Sequence, residues 1–185
     1  FQEFIGGRSL YLLYYFHRNG KVFKFSQENL IQQPNGKSII AAITSDVHNS
    51  NESLKYENLF KSVNFCGLVM VEVKLFKNNY YMIEANPRFW GPSQLFVDAG
   101  VNFFECFLND YSIIDSINES SQIQKARYFW FGGLIQVNFD NNKLVYYDYN
   151  STELINDLPL WLSTDIYSRS DTIEIFKEET KFNEF

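Results

Sequence analysis

The sequence predicts an α+β fold in which helices pack on an antiparallel β-sheet. Short runs of β-branched and aromatic residues alternate with turn signals, of which Asn19-Gly20 is the dipeptide most typical of a tight hairpin. Residues 50–64 have a helical pattern instead, and Pro92-Ser93 opens a second helical region that Gly100 interrupts. Strands joined by tight turns and crossed by helices indicate an antiparallel sheet with helices on it.

The predicted elements follow from these signals in chain order. We expect strands at 2–5, 9–17, 21–25, 38–44, 66–76 and 80–85, and helices at 50–64, 94–99 and 103–108. Within the first helix an apolar stripe is expected to face the core, formed by Leu54, Leu59, Phe60 and Val63.

The chain divides into two parts in this interpretation. Residues 1–108 form the main α+β unit, and residues 109–185 form a linker and a small β-rich C-terminal extension. The extension is expected to contain a hairpin of 128–138 with 143–149 around Asp140-Asn141-Asn142. We expect this part to pack against the main unit or to act as a lid.

Composition excludes several classes of protein. The 185 residues are 45% apolar and 18% aromatic with a net charge of −6, which supports a sizeable core and provides no basic surface for nucleic acid or anionic membrane. No apolar run approaches the roughly 18 residues of a membrane span. Cys66 and Cys106 have no metal or redox spacing and are expected to be free thiols of a cytoplasmic protein.

A hairpin in the middle of the chain carries the polar residues that point to function. If Lys77-Asn78-Asn79 forms its loop, Phe76 pairs with Tyr80 and Glu72 lies opposite Glu84. One face of the hairpin is then apolar throughout and the other carries every polar group, whereas a two-residue Asn78-Asn79 loop would mix the two. The three-residue loop is therefore predicted.

Two facing glutamates need a cation, a basic neighbour or a shared proton, because like charges opposite each other on a sheet are destabilising. Glu72, Glu84 and Asn86 supply the oxygen ligands that Mg²⁺ prefers, while Lys74 and Arg88 offer the alternative of a structural ion-pair cluster. Lys74 is expected either to neutralise the glutamates or to approach a nucleotide. Pro87 ends the strand, so Arg88 lies at the mouth of the site, where its planar fork can bind phosphate or carboxylate.

Three stretches of this region resemble a known family. They are 65–74 (FCGLVMVEVK), 82–91 (MIEANPRFWG) and 98–103 (DAGVNF), and they are similar to the C-terminal half of an ATP-grasp domain. The similarity is greatest to the carbamoyl-phosphate-synthase-like carboxylate–amine ligases and covers roughly residues 1–108. The opening residues 1–7 (FQEFIGG) resemble the hinge strand of that family.

The resemblance implies a role for each matching residue. Glu72, Glu84 and Asn86 would hold the Mg²⁺ (or Mn²⁺) ions that bridge the ATP phosphates, and Arg88 would stabilise the transferred phosphoryl group. The backbone of the hinge strand would contact adenine, which assigns nucleotide binding to Gln2, Glu3, Phe4 and Ile5, with Lys74 as a further candidate.

The function implied is an ATP-dependent ligase that converts a small-molecule carboxylate to an acylphosphate for attack by an amine or thiol. The chain begins at the hinge, so the preceding subdomain is expected from a missing N-terminal domain or a partner chain, and the fragment alone is expected to be inactive. Arg8 stands near where many relatives carry an acid for the ribose hydroxyls. The alternatives are a non-catalytic or partner-dependent nucleotide-binding module and a structural β-rich interaction domain.

Overall fold

The computed structural model describes residues 3–120, 122–139, 143–170, 172–174 and 177. Over these residues one seven-stranded sheet is crossed by six α-helices, and every strand pair in it is antiparallel, which confirms the predicted α+β class. The strands are β1 Arg8–Phe16, β2 Val22–Gln32, β3 Ile39–Thr44, β4 Gly67–Phe76, β5 Asn79–Asn86, β6 Arg127–Phe129 and β7 Val145–Tyr146. The helices are α1 Asn51–Ser62, α2 Ser93–Asp98, α3 Phe103–Asp110, α4 Phe131–Phe139, α5 Ser151–Asn156 and α6 Leu158–Leu162.

The strand order is β5-β4-β1-β2-β3-β6, so β1 lies inside the sheet. β1 pairs with β2 only as far as Ser9, which lies opposite Asn29. The last residues of β2, after Asn29, therefore have no partner from β1 on the edge that faces β1. β7 fills this gap, because Tyr146 pairs with Ile31 there while β3 occupies the other edge of β2. The C-terminal part of the chain therefore completes the sheet beside the start of β1.

Both faces of β1 are buried, which explains its almost continuous apolar sequence. Tyr11, Leu13 and Tyr15 face α2 and α3, while the alternate residues of β1 face α1. The phenol of Tyr14 reaches α1 and donates a 3.0 Å hydrogen bond to the carbonyl of Ser53. A third apolar cluster lies under the C-terminal helices and centres on Trp161.

Helix α1 begins as predicted, since the Ser50 side chain accepts a hydrogen bond from the Ser53 amide. The predicted apolar stripe is wrong at three of its four positions, because Leu54, Leu59 and Val63 are 47%, 50% and 65% exposed. Of the four, Phe60 packs on the sheet, and it does so beside Tyr56.

The face that α1 buries includes a carboxylate. Glu57 is buried because Lys24 and Lys61 lie 3.1 and 2.6 Å from its oxygens. A hydrophobicity pattern cannot detect a face whose polar member is neutralised by a residue of a distant strand. This is why the sequence placed the stripe on the wrong side of the helix.

The predicted hairpin of residues 128–138 with 143–149 is wrong. Helix α4 covers most of its first strand, and the short strands β6 and β7 pair with β3 and β2 instead of with each other. Helix α4 buries Val137 in the cluster that contains Phe129 and Trp161, so packing between distant parts of the chain overrides the local strand pattern. The predicted turn at residues 140–142 lies outside the described residues.

None of the helices in the described part of the chain is both long and apolar enough to cross a membrane.

Candidate functional site

The β4–β5 hairpin places Glu72 directly opposite Glu84, as predicted, but by a different route. Its turn contains two residues, Lys77 and Asn78, whose φ angles of 49° and 62° are the left-handed values of a type I′ turn. Phe76 therefore pairs with Asn79, and the predicted three-residue loop with a Phe76–Tyr80 pair is wrong.

A β-bulge restores the register. Val73 pairs with Met82 and Glu72 with Glu84, so β5 carries one extra residue, Ile83, between these two pairs. Between the turn and the bulge, each side chain of β5 therefore points to the face opposite to the predicted one. Tyr80 accordingly joins the apolar cluster on the α1 side of the sheet. The prediction of one polar and one apolar face assumed a regular ladder of strand pairs, and the bulge interrupts that ladder.

Glu72 lies in a half-buried polar strip between Tyr11 on β1 and Glu84 on β5. Burial raises the pKa of the Glu72 carboxyl, and the neighbouring charge of Glu84 raises it further, while Lys74 lowers it. The Lys74 ammonium lies 3.7 Å from Glu72 Oε1, and burial lowers the pKa of Lys74. One cation therefore faces two carboxylates in this strip.

Glu84 and Asn86 project to the same side of β5 and contact each other. Asn86 Nδ2 donates a 2.5 Å hydrogen bond to Glu84 Oε1, which leaves the amide oxygen of Asn86 as a free acceptor in the described structure. Arg88 follows on the exposed turn after Pro87, and its Nη1 donates a 3.3 Å hydrogen bond to the Phe89 carbonyl. No carboxylate of the described chain lies within 4 Å of the Arg88 guanidinium.

A large cavity of about 860 Å³ collects most of the predicted site residues. Its wall includes Phe4 and Ile5 from the N-terminal segment together with Lys74, Glu72 and Glu84 from the hairpin. Glu3 is exposed and does not line this cavity, and Gln2 lies outside the described residues. Phe4 and Ile5 of the predicted hinge therefore meet Glu72 and Glu84 in one cavity, while the third predicted metal ligand, Asn86, does not line it.

A narrow cavity of about 400 Å³ adjoins the same glutamates. Glu72 and Glu84 line it together with Arg88, Tyr11 and Trp90. The two carboxylates thus line both cavities, and Arg88 lines the narrow one.

The predicted hinge strand is not a strand over its described residues, 3–5. β7 occupies the edge of β2 on which a continuation of β1 would have paired. The segment instead turns at Gly7, which has a φ of 92° and lies so close to β4 that a Cβ would be 2.3 Å from the Leu75 carbonyl oxygen. This turn directs Phe4 and Ile5 to the large cavity.

Sequence reasoning missed Tyr147, which covers Lys74. The Lys74 ammonium lies 3.9 Å from the centroid of the Tyr147 ring, and the phenol donates a 2.5 Å hydrogen bond to Gln32 Oε1. Burial raises the pKa of Tyr147 to about 12, so the phenol remains a donor at neutral pH. A strand was predicted at residues 143–149, but its partner was not. The pairing of β7 with β2 is what brings Tyr147 to Lys74.

Arg8 lines the large cavity and is held by an acid. Its Nε and Nη2 donate to the two oxygens of Glu28 at 2.6 and 2.5 Å. This bidentate contact raises the pKa of Arg8. Arg8 therefore enters the cavity wall as a fixed cation.

The donor set fits a divalent cation that also binds another ligand. Among the described residues no three His, Cys, Asp or Glu side chains are gathered as a metal site. Glu72, Glu84 and Asn86 are two carboxylates and one amide, and facing carboxylates with a raised Glu72 pKa favour a cation between them. Such a set would complete a Mg²⁺ shell only with oxygens from water or a phosphate.

Comparison with known proteins gives matches among solved structures. No family model and no curated protein sequence matches this chain. The fold is similar to N5-carboxyaminoimidazole synthetase from Staphylococcus aureus, with a TM-score of 0.56 and 17% identity over 75% of this chain and 39% of that one. It is also similar to the phosphoribosylaminoimidazole carboxylase ATPase subunit from Aquifex aeolicus, with a TM-score of 0.55 and 16% identity over 68% of this chain and 39% of that one.

A third similar structure is phosphoribosylglycinamide synthetase from Anaerococcus prevotii, with a TM-score of 0.52 and 15% identity over 68% of this chain and 35% of that one. The S. aureus protein is also known in complex with ADP. At these identities the similarity concerns the fold, and it shows that the chain has an ATP-grasp fold. The chain spans 35–39% of the length of these three proteins.

Proposed function

We propose that this chain is the ATP- and Mg²⁺-binding part of a ligase that activates a carboxylate as an acylphosphate for attack by an amine or thiol. The observation that carries the proposal is the large cavity, because Phe4 and Ile5 meet Lys74, Glu72 and Glu84 in its wall. The apolar end of the cavity suits the base of a nucleotide, and its charged end suits the phosphates. The ADP complex of a similar fold supports the choice of ATP as ligand.

Each residue has a role in this proposal. The segment with Phe4 and Ile5 binds the base, and Lys74 approaches the phosphates. Glu72, Glu84 and Asn86 would hold Mg²⁺ (or Mn²⁺), which neutralises phosphate charge when it is bound.

The proposed reaction has two steps. An oxygen of the substrate carboxylate attacks the γ-phosphorus, the bond to the bridging oxygen of ADP breaks, and Arg88 stabilises the charge on the transferred phosphoryl group. The amine or thiol then attacks the acyl carbon, loses its proton, and inorganic phosphate leaves.

A partner-dependent nucleotide-binding module is the second candidate. The similar proteins are more than twice as long as the part that matches, so groups from an N-terminal domain or a partner chain would complete the site.

For the localisation we propose the cytoplasm, where thiols remain reduced, because Cys66 and Cys106 are both free thiols.

Titration calorimetry with Mg²⁺, ATP and both together tests the proposal. We expect weak binding of either alone, tighter binding of the pair, and at least a tenfold loss of affinity for the pair in Glu84→Gln. Glu52→Gln on α1 is the matched control, because Glu52 contacts Lys55 and lies on an element that packs on the other face of the sheet. Equal affinities of parent and Glu84→Gln would reject the metal assignment, and no binding of Mg²⁺ with ATP by the parent would reject the proposal.

A further inference from the structure

A third cavity shares Arg88 with the narrow cavity, but Glu72 and Glu84 do not line it. It has a volume of about 460 Å³, within the range of small-molecule sites. The end of β1, the start of β4 and the end of α3 enclose it, and its wall includes Arg88, Arg18, Leu68, Phe89, Phe107 and Tyr111. We call it the aromatic cavity.

Packed rings form one wall of the aromatic cavity. The ring centroids of Phe107 and Tyr111 are 4.8 Å apart, and those of Phe107 and Phe89 are 6.3 Å apart. With Leu68 opposite, these side chains offer an apolar surface to a bound molecule. Phe107 and Tyr111 are 40% and 54% exposed, so the wall is accessible.

Arg18 is fixed at the edge of this wall. Its guanidinium carbon lies 4.7 Å from the centroid of the Tyr111 ring, and its Nη1 donates a 3.3 Å hydrogen bond to the Asp110 carbonyl. The other N–H groups of the Arg18 guanidinium are free donors in the described structure.

The acid of the aromatic cavity, Asp110, is already occupied. The Tyr15 phenol donates to its Oδ2 at 2.9 Å, the Arg18 amide donates to its Oδ1 at 3.0 Å, and the His17 ring lies 3.1 Å from the same Oδ1. In contrast, neither the Arg18 nor the Arg88 guanidinium has a side-chain carboxylate within 4 Å in the described chain. The cavity therefore favours an anionic ligand over a cationic one.

We propose that the aromatic cavity binds the carboxylate substrate, and that this substrate has an apolar body of about the size of an aromatic ring. Its carboxylate lies at Arg88, which also lines the narrow cavity beside Glu72 and Glu84, and its body packs on Phe107 and Tyr111. The inference rests on the proposed function, because it takes Arg88 as the point where the carboxylate meets the phosphoryl group.

Ligand-observed NMR with phenylacetate, acetate and phenethylamine tests this inference on the full chain. We expect phenylacetate to bind, acetate to bind at least tenfold more weakly, and phenethylamine not to bind. Phe107→Ala should weaken phenylacetate binding at least fivefold, and Arg18→Gln, an exposed change that leaves the apolar wall intact, should weaken it about threefold. Ile113→Ala is the control, since Ile113 is 65% exposed and lies outside the cavity wall.

The results that would contradict this inference differ from those that would contradict the proposed function. No phenylacetate binding by the parent would overturn the inference, and so would equal binding of phenylacetate in Phe107→Ala and Ile113→Ala. Binding of phenethylamine as tight as that of phenylacetate would overturn the anionic preference. If the parent binds Mg²⁺ with ATP but not phenylacetate, only this inference fails. If it binds phenylacetate but not Mg²⁺ with ATP, the proposed function fails instead.

Discussion

Glu72 and Glu84 face each other across β4 and β5 because a bulge at Ile83 follows the two-residue turn at Lys77 and Asn78. Without the bulge the two-residue turn would pair Glu72 with Ile83, and the Glu84 side chain would point to the other side of the sheet. Among the described residues, the Lys74 ammonium is the one cation that contacts this pair of like charges, through Glu72.

Replacing Lys77 by Asn should stabilise the hairpin. Lys77 has a φ of 49°, a left-handed conformation that costs an L-residue roughly 1 kcal/mol and that Asn tolerates better. We expect the free energy of unfolding in urea to rise by about 0.5 kcal/mol, which is part of that cost. Lys37→Asn is the control, because Lys37 has a φ of −69° and should gain nothing. A loss of stability in Lys77→Asn would show that the turn is not of this type in solution.

Tyr147 should stabilise the cavity wall through both its ring and its hydroxyl. Tyr147→Phe removes the hydrogen bond to Gln32 and should cost about 1 kcal/mol of unfolding free energy. Tyr147→Ala also removes the ring over Lys74 and should cost about 1 kcal/mol more. Urea denaturation measures both. Equal costs for the two variants would mean that the contact with Lys74 contributes nothing.

Arg88→Lys should distinguish two roles of the guanidinium. Lysine keeps the charge but loses the bidentate fork, so an analogue of the transferred phosphoryl group should be affected more than ATP itself. We expect the affinity for MgADP with aluminium fluoride to fall at least tenfold, and the affinity for MgATP to fall no more than about twofold. Calorimetry measures both. Equal losses would indicate that Arg88 binds the ground-state nucleotide.

His48 should make stability depend on pH. Burial lowers the pKa of the His48 imidazole below its ordinary value of 6.5, although the Ser45 carbonyl and Asp46 raise it and Lys24 lowers it further. The unfolded chain therefore binds this proton more readily than the folded one. The contribution of neutral His48 is fully present above about pH 6.5 and is lost as the pH falls from there towards the folded pKa.

The measurement compares wild type with His48→Gln, whose side chain can still hydrogen-bond to Ser26. Unfolding free energies taken between pH 5 and pH 8 should converge as the pH falls below about 6.5, because only the wild type loses stability through this residue. A constant difference across the range would contradict the lowered pKa.

Local signals in the sequence determined the elements that depend on neighbouring residues. Helix α1 begins at the predicted place with Ser50 as its cap, and Gly100 follows α2 with a φ of 82° where the sequence predicts an interruption. These features require only the backbone preferences of a few adjacent residues, so the sequence is sufficient for them.

Long-range packing decided the features that the sequence missed. The buried side of α1 follows from the contact of Glu57 with Lys24 on β2, and helix α4 stands where a strand was expected, with Val137 buried in the cluster that contains Trp161. Neither contact is visible in the periodicity of its own segment, because the partner or the packing that stabilises it is set by the tertiary structure.

For the candidate site the same division holds. The sequence by itself placed Glu72, Glu84, Asn86 and Arg88 at one hairpin, since all four lie on its two strands or directly after them. That Glu72 faces Glu84 depends also on a two-residue turn and a bulge that the sequence did not predict. Only the tertiary structure decided how Tyr147 and the hairpin meet, since β7 pairs with an edge of β2 that the start of β1 leaves open. Strand pairing between segments more than a hundred residues apart depends on the shape of the assembled sheet, which no local pattern encodes.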